Sequence, residues 1–278
     1  MPIPTVLAIP GSLRSRSFNR AFLGAVPGLL PFDCHYRIFD GLGEVPLYSE
    51  DIDVYPDHPG VAALRAAVTA ADGVIIASPE YNQSIPGVLK NALDWLSRPH
   101  GDGALRGKAV LPVVVTLSRG NGARGLADLN RVLSYLGNIV LYQPEIVLAS
   151  APSVLRPGAD GTVEITDAAV RAVVTVALEQ FGALVHAGAA AAHRTLLDTR
   201  REVIERARFA PMIREALGRG APPVAVIERL RNAGVHPAVA AQWIAAEGGT
   251  TPAAQPDSRA MANDVAGPAT LIPSGGHS

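Results

Sequence analysis

Short apolar runs alternate with amphipathic stretches from residue 4 to residue 187. The runs are rich in β-branched residues, which is typical of buried parallel strands. We predict five strands, over residues 4–9, 34–39, 73–78, 107–117 and 139–148. Between them, apolar side chains recur at helical spacing, as at Val170, Val174, Leu178 and Phe181 near the end of the region. Strands that alternate with helices predict an α/β fold with a parallel sheet.

Two prolines interrupt the later strands of this pattern. Pro112 falls inside the fourth apolar run and Pro144 inside the fifth. A proline in a central strand removes a hydrogen-bond donor from the ladder. We therefore expect Pro112 at the beginning of its strand or at a bulge.

The pattern changes after residue 190. Residues 194–247 are predicted to be wholly helical, with arginines and glutamates interleaved. Within them, Val224 to Ile244 follows the order helix, Gly-Val turn, helix, as in a helix-turn-helix. Its second helix offers Gln242 but no Arg, Lys or Asn, so direct readout of bases would be poor. An oligomerisation or lid module, a partner-binding module and a DNA-binding module remain alternatives.

These changes divide the chain into three parts. Residues 1–190 form the α/β domain and residues 191–247 form the helical extension. Residues 248–278 are rich in Gly, Pro, Ala, Ser and Thr, and we expect a disordered tail there.

Composition narrows the class of protein. The 278 residues are 48% hydrophobic with a net charge of −1, which gives no general case for a nucleic-acid partner. The one cysteine, Cys34, excludes an internal disulfide, and the seven scattered histidines show no metal-binding spacing. We find no signal peptide and no apolar run near the roughly 20 residues of a membrane span. We therefore expect a soluble cytoplasmic protein without a bound metal.

A polar loop follows the first predicted strand. Its hydroxyl, amide and guanidinium groups come from Ser12, Arg14, Arg16, Ser17 and Asn19, and Gly11 allows a tight turn. A helix that starts near Phe18 would direct its free N–H groups and positive dipole end at this loop. Such a loop suits a phosphate dianion, although a solvated loop that caps the helix is the alternative.

A stiff loop follows the third strand. Prolines at 79 and 86 hold its backbone, and its surface side chains are Glu80, Tyr81, Asn82, Gln83 and Ser84. The flat ring of the tyrosine beside polar side-chain tips suits a planar heteroaromatic ligand. The alternative is a plain connection between the strand and the next helix. Glu80 could act as a general base or as a solvated, helix-capping carboxylate. A helix should start near Pro86.

A third candidate loop follows the fourth strand and contains Ser118, Gly120 and Gly122. Glycines at the carboxyl end of a strand allow the backbone to approach a ligand closely. A bare turn is the alternative.

Two of these loops resemble the NADPH-dependent FMN reductase family. The resemblance is carried by Gly11-Ser12-x-Arg14-x-x-Ser17-x-Asn19 and by Pro79-Glu80-Tyr81-Asn82, followed by Ser84-Ile85-Pro86-Gly87, Leu89-Lys90-Asn91-Ala92 and Asp94-Trp95. It covers about residues 4–187 and implies a flavodoxin-like three-layer sandwich with a five-stranded parallel sheet in the order 2-1-3-4-5. The segment Val45–Asp51 is also similar to one in the family, and we interpret it as a structural loop.

The resemblance implies an FMN site. Ser12, Arg14, Ser17 and Asn19 would hold the phosphate, next to Phe18. The ring would lie against Pro79, Glu80, Tyr81, Asn82 and Ser84 on one loop and near Ser118, Gly120 and Gly122 on the other.

It also implies an oxidoreductase in which NADPH or NADH passes hydride to flavin N5. The reduced flavin would then reduce a quinone, an azo compound, a metal oxyanion or free flavin. No side-chain nucleophile is required, and a homodimer or homotetramer is expected. The alternative is a flavin-binding sensor whose C-terminal helices bind a partner, which could be DNA.

Overall fold

The structure is a computed structural model and describes residues 3–54, 57–117, 122–157 and 163–248. The chain forms two compact units, the first ending at Arg200 and the second beginning at Arg201. The elements of the first unit are β1 (Thr5–Pro10), α1 (Phe18–Ala25), β2 (His35–Ile38), α2 (Pro59–Thr69), β3 (Gly73–Ser78), α3 (Gly87–Leu96), β4 (Ala109–Val115), α4 (Ala123–Tyr135), β5 (Ile139–Val140), β6 (Ile146–Leu148), α5 (Ala151–Val154), β7 (Leu155–Pro157), β8 (Val163–Ile165) and α6 (Ala168–His186), after which α7 (Ala189–Gly218) runs on into the second unit.

The main sheet is parallel and has the strand order β2-β1-β3-β4-β5, with β6 also paired to β4. The predicted order 2-1-3-4-5 is therefore confirmed. The fifth position is shared by two short strands, because β5 pairs with the start of β4 and β6 with its end. The chain between them contains Pro144.

Helices cover both faces of the sheet and make three layers. On one face, α1 and α6 contribute Phe22, Leu23 and Phe181 to the core. On the other face, helices α2 to α4 contribute Leu64, Leu93, Trp95 and Leu129. Each fully buried side chain of this size stabilises the fold by roughly 1.5–3 kcal/mol.

The close packing of α6 against the sheet explains why residue 73 is a glycine. A Cβ on Gly73, the first residue of β3, would lie 2.6 Å from the Phe181 ring and 2.6 Å from the Val185 side chain. Gly73 therefore lets α6 pack directly on the middle of the sheet.

Pro112 lies in the middle of β4, not at its beginning or at a bulge as expected. Lys108 and Val110 accept hydrogen bonds from Ile139 and Leu141, so even-numbered residues of β4 face β5 and β6. The position where Pro112 lacks an N–H therefore faces the break between these two strands. The sheet tolerates this proline because the ladder is interrupted at that point.

Helix α6 also corrects the expectation about apolar runs. It has 19 residues and is apolar enough to cross a membrane by length and composition, and one third of its apolar window, 33%, is buried within the fold. Its buried residues, including Val174, Leu178 and Phe181, pack against the main sheet.

The second unit contains the end of α7 and two further helices, α8 (Pro223–Asn232) and α9 (Pro237–Ala246). Its core includes Ile213, Leu230 and Trp243. The turn between α8 and α9 passes through Gly234, whose φ of 87° is one that glycine adopts without strain.

Candidate functional site

A cleft of about 280 Å³ opens at the carboxyl ends of β1, β3 and β4. Ligands of open parallel sheets bind at such strand ends. The cleft is lined by three segments, which contribute Ser12, Arg14, Ser17, Phe18 and Asn19 after β1, Pro79, Glu80 and Tyr81 after β3, and Val115, Thr116 and Leu117 at the end of β4. The structure thus brings together two loops that lie about 60 positions apart in the sequence, since 60 positions separate Asn19 from Pro79.

Helix α1 directs its first turn at this cleft. Ser17 is the N-cap, and its Oγ accepts a hydrogen bond from the N–H of Arg20 at 3.4 Å. The N–H groups of Phe18 and Asn19 precede the first intrahelical donor, Ala21, and so have no partner within the helix. These two donors and the positive end of the helix dipole favour an anion in the cleft.

Asn19 adds a buried amide to this end of the cleft. Its side chain is only 3% exposed, and its Nδ2 donates to the carbonyl oxygen of Val115 at 3.4 Å. Its Oδ1 is also buried, and no donor reaches it within the part of the chain that the structure describes. Buried polar atoms rarely stay unpaired, so this oxygen fits the hydroxyl donor of a ligand.

Arg14 supplies a positive charge at the mouth of the cleft. Its guanidinium lies over the Phe18 ring, 5.3 Å from the ring centroid. Its backbone N–H donates to Ser12 Oγ at 3.4 Å. The charge is therefore held close to the start of α1 while its N–H groups stay available to an anion.

The loop after β3 contains a tight turn of unusual backbone conformation. Tyr81 and Ser84 exchange backbone hydrogen bonds of 2.9 and 3.1 Å, and the two residues between them have positive φ, 52° at Asn82 and 68° at Gln83. Two successive positive φ values define a type I′ turn, which favours Asn or Gly. The conformation is strained at Gln83, and such strain is often found at functional sites.

Two side-chain hydrogen bonds attach this turn to α4. Glu80 Oε2 accepts from the N–H of Gly125, in the first turn of α4, at 2.8 Å. Ser84 Oγ donates to Asp128 Oδ2 at 2.6 Å. The hydrogen bond from Ser84, with a smaller contribution from Arg131, lowers the pKa of Asp128 below its ordinary value. Glu80 therefore serves α4 as a capping carboxylate.

Gly122 is the N-cap residue of α4 and cannot be replaced without strain. Its φ is 147°, and a Cβ there would lie 2.6 Å from Val147 Cγ1. Gly122 brings the helix close to the sheet beside the cleft but does not line it. Ser118 and Gly120, the other two residues predicted in this loop, lie outside the described residues.

The end of the second motif, which includes Asn91 and Trp95, has a structural role. Asn91 Nδ2 and Trp95 Nε1 both donate to the carbonyl oxygen of Pro46 at 2.8 Å, and Asn91 Oδ1 accepts from the N–H of Tyr48 at 2.8 Å. Tyr48 also packs edge-on against the Trp95 ring. Helix α3 therefore fixes the segment around residues 46–48, which agrees with the interpretation of that segment as a structural loop.

Sequence reasoning placed most, but not all, of these residues. Of the ten predicted site residues that the structure describes in the two main loops, eight line the cleft, whereas Asn82 and Ser84 shape the turn beside it. Val115, Thr116 and Leu117 were not predicted, although the rule that ligands bind at strand ends could have identified them. Asp128 was not predicted either, because it lies in an ordinary amphipathic helix and carries no local signal. Among the described residues, no group of His, Cys, Asp and Glu is arranged to hold a metal ion.

Comparisons with known proteins agree with this geometry. The model of the NADPH-dependent FMN reductase family matches residues 4–153. The chain is 38% identical over 163 residues to a 2-hydroxy-1,4-benzoquinone reductase of a Burkholderia species, which covers 58% of this chain and 86% of that protein. It is 40% identical over 146 residues to an NAD(P)H-dependent FMN reductase of Pseudomonas aeruginosa, covering 52% of this chain and 78% of the relative.

A solved structure has the same architecture. FerB, a flavoenzyme NAD(P)H:(acceptor) oxidoreductase from Paracoccus denitrificans, superposes with a TM-score of 0.58 at 25% sequence identity. The match covers 67% of this chain and 99% of FerB. Residues 4–153, which the family model matches, include every residue that lines the cleft.

Proposed function

Because this chain belongs to the NADPH-dependent FMN reductase family, we propose that its cleft holds FMN and that the enzyme reduces quinones. The observation that carries this proposal is the meeting of the loop after β1 and the Tyr81 turn at one cleft. Family membership itself makes the protein an oxidoreductase that works with FMN and NAD(P)H.

The donors and acceptors of the cleft fit FMN. The phosphate would lie at the start of α1, where the hydroxyls of Ser12 and Ser17, the guanidinium of Arg14 and two free backbone N–H groups converge. The buried Oδ1 of Asn19 would accept from a hydroxyl of the ribityl chain. The ring would lie towards Tyr81, whose side chain is 51% exposed beside the cleft.

With FMN bound, the site gains a two-electron carrier that can take hydride from NAD(P)H and reduce an acceptor. The residues of this chain bind and orient that carrier. Backbone N–H groups of the loop over residues 79–84 would stabilise negative charge at the edge of the ring. Glu80 is engaged with α4 through Gly125 and is not required as a base.

A quinone is the acceptor that the site surface favours. Tyr81 and Leu117 present apolar surface at the cleft, and the Leu117 side chain is 59% exposed. A flat, apolar acceptor can stack on such a surface, whereas a metal oxyanion gains nothing from it. The Burkholderia relative, whose name specifies a benzoquinone, is consistent with this choice.

The test is a visible spectrum of the purified protein during titration with FMN, followed by NADPH under argon and then 1,4-benzoquinone. We expect a structured flavin band that bleaches with NADPH and returns with the quinone. A matched titration uses azo dye and chromate as alternative acceptors. Faster reoxidation by either of these would overturn the choice of a quinone, and failure to bind FMN would overturn the assignment of the cleft.

The same experiment distinguishes the proposed reductase from a flavin-binding sensor. A sensor that binds a partner through its C-terminal helices would retain oxidised flavin in the presence of NADPH. The homo-oligomeric assembly, the cytoplasmic location and the division into an α/β domain and a helical extension stay predictions. Size-exclusion chromatography with light scattering would measure the first of them.

A further inference from the structure

We propose that a groove beside the cleft binds the adenosine 2′-phosphate end of NADPH. The groove has a volume of about 550 Å³ and lies between α1 with its preceding loop and the hairpin of β7 and β8. We call it the α1–hairpin groove. The inference rests on the proposed function, because it takes NADPH as the electron donor at the cleft.

The floor of the groove is apolar and its rim is cationic. The floor is formed by Ala21, Ile38, Leu155, Pro157 and Val163. The rim carries the guanidinium groups of Arg16, Arg20 and Arg156 together with the hydroxyl of Ser15. An apolar floor suits the adenine ring, and arginine is the residue that most often accommodates the 2′-phosphate which distinguishes NADPH from NADH.

Two of these arginines are available for a ligand. Arg20 forms an ion pair with Asp40, which fixes its guanidinium and neutralises its charge. Neither Arg16 nor Arg156 forms an ion pair with another of the residues that the structure describes. Glu164 lies opposite Arg156 in the hairpin register, but it lines the neighbouring cavity with Arg171. The rim therefore has a net positive charge that a phosphate dianion would neutralise.

The position of the groove fits a ligand that extends from the cleft. Ser17 and Phe18 line both the groove and the cleft, so the two are separated only by the first turn of α1. Ile38 is the last residue of β2, which places the groove at the carboxyl edge of the sheet, as the cleft is. A dinucleotide whose nicotinamide reaches the flavin ring can leave its adenosine end in the groove.

The test uses adenosine 2′,5′-bisphosphate as a probe of the FMN-loaded protein, with AMP as the matched ligand that lacks the 2′-phosphate. Isothermal titration calorimetry should show that the bisphosphate binds roughly 10-fold or more tightly than AMP, because its 2′-phosphate gains charge-assisted hydrogen bonds from the arginines of the rim. Arg16→Gln and Arg156→Gln should each lose most of this preference. The ratio of kcat/KM for NADPH to that for NADH should fall in parallel.

Arg37→Gln is the control, because Arg37 is an exposed arginine of β2 outside the groove. It removes the same charge and should leave the preference for the bisphosphate unchanged. Equal binding of the two nucleotides by the unmodified protein would overturn the proposal, as would an equal loss in all three variants. Failure of the proposed function is distinguishable, since the same samples would then not retain FMN.

Discussion

The loop over residues 12–17 and the turn over residues 80–84 meet at one cleft but are held by different means. In the first, Leu13 to Arg16 are exposed, and the loop is anchored by the start of α1. The second is closed by two backbone hydrogen bonds and attached to α4 through Glu80 and Ser84. An anion needs converging donors and a helix dipole, whereas a flat ring needs a fixed edge. Under the proposed assignment, one ligand would be recognised by charge at one end and by shape at the other.

Removing the donors of the first loop should have the largest effect. We expect Arg14→Ala combined with Ser17→Ala to weaken FMN binding about 100-fold or more, because two hydrogen bonds to a charged phosphate contribute about 1.5–3 kcal/mol each. Fluorescence titration of FMN measures the loss. Arg37→Ala is the control, because it removes one positive charge from β2 at a residue that does not line the cleft, and FMN binding should stay unchanged.

The thermal midpoint should be recorded for the same variants. Ser17 also caps α1, and loss of such a cap costs about 1 kcal/mol of stability. A folded double variant that binds FMN as tightly as the unmodified protein would contradict the phosphate assignment.

Breaking the attachment of the second loop should have a smaller effect. A double-mutant cycle of Ser84→Ala and Asp128→Ala should give a coupling of about 1–2 kcal/mol, because the 2.6 Å hydrogen bond between them involves a carboxylate. Urea unfolding of the FMN-loaded protein gives the four free energies. Arg131→Ala is the control, since its pair with Asp128 is at the surface, with Arg131 77% exposed, and should contribute less than about 0.5 kcal/mol.

A coupling free energy near zero would mean that the turn is held by its backbone hydrogen bonds alone.

The lowered pKa of Asp128 sets the direction in which this coupling free energy depends on pH. The coupling should be complete above the ordinary carboxyl pKa near 3.9 and should be lost as the pH falls through the lower pKa of the folded protein.

The two loops also differ in how far the sequence predicts them. The first is predicted as an anion site from residue types alone, because Ser17, Asn19 and the helix start are local features. The positions of the strands were predicted from the β-branched apolar runs, and their order in the sheet was predicted from the family resemblance. What the sequence could not show were the contacts made across the fold, such as those of Ser84 with Asp128 and of Glu80 with Gly125.

Pro112 shows the same limit at the level of the sheet. The rule that excludes proline from a central strand is sound, but it applies to a continuous ladder. Whether the neighbouring strand is continuous depends on how β5 and β6 share the edge of β4, which is a property of the assembled sheet.

The strain at Gln83 offers a test of the turn that leaves its hydrogen bonds intact. Gln83→Gly should stabilise the protein by about 1 kcal/mol, because glycine adopts a positive φ without the cost that other residues have. The stability of Gln83→Asn should lie between those of the unmodified protein and Gln83→Gly. Gln83→Val should be less stable than the unmodified protein, since a β-branched side chain tolerates this conformation least. Thermal unfolding ranks the three variants. A ranking with valine as stable as glycine would show that the turn relaxes to another conformation.

Glu80 distinguishes a structural carboxylate from a catalytic one, and its conservative variant should have the smallest effect. The side-chain oxygen of Glu80→Gln can still accept from the N–H of Gly125, so the turn stays attached to α4. We expect kcat with NADPH and benzoquinone to change less than about threefold, because loss of a general base would cost at least about 100-fold. Glu80→Ala removes the acceptor and should lower stability by about 1 kcal/mol, as loss of a helix cap does. A large loss of kcat in the glutamine variant with unchanged stability would instead make Glu80 a proton-transfer residue, and the turn would then contribute chemistry as well as shape.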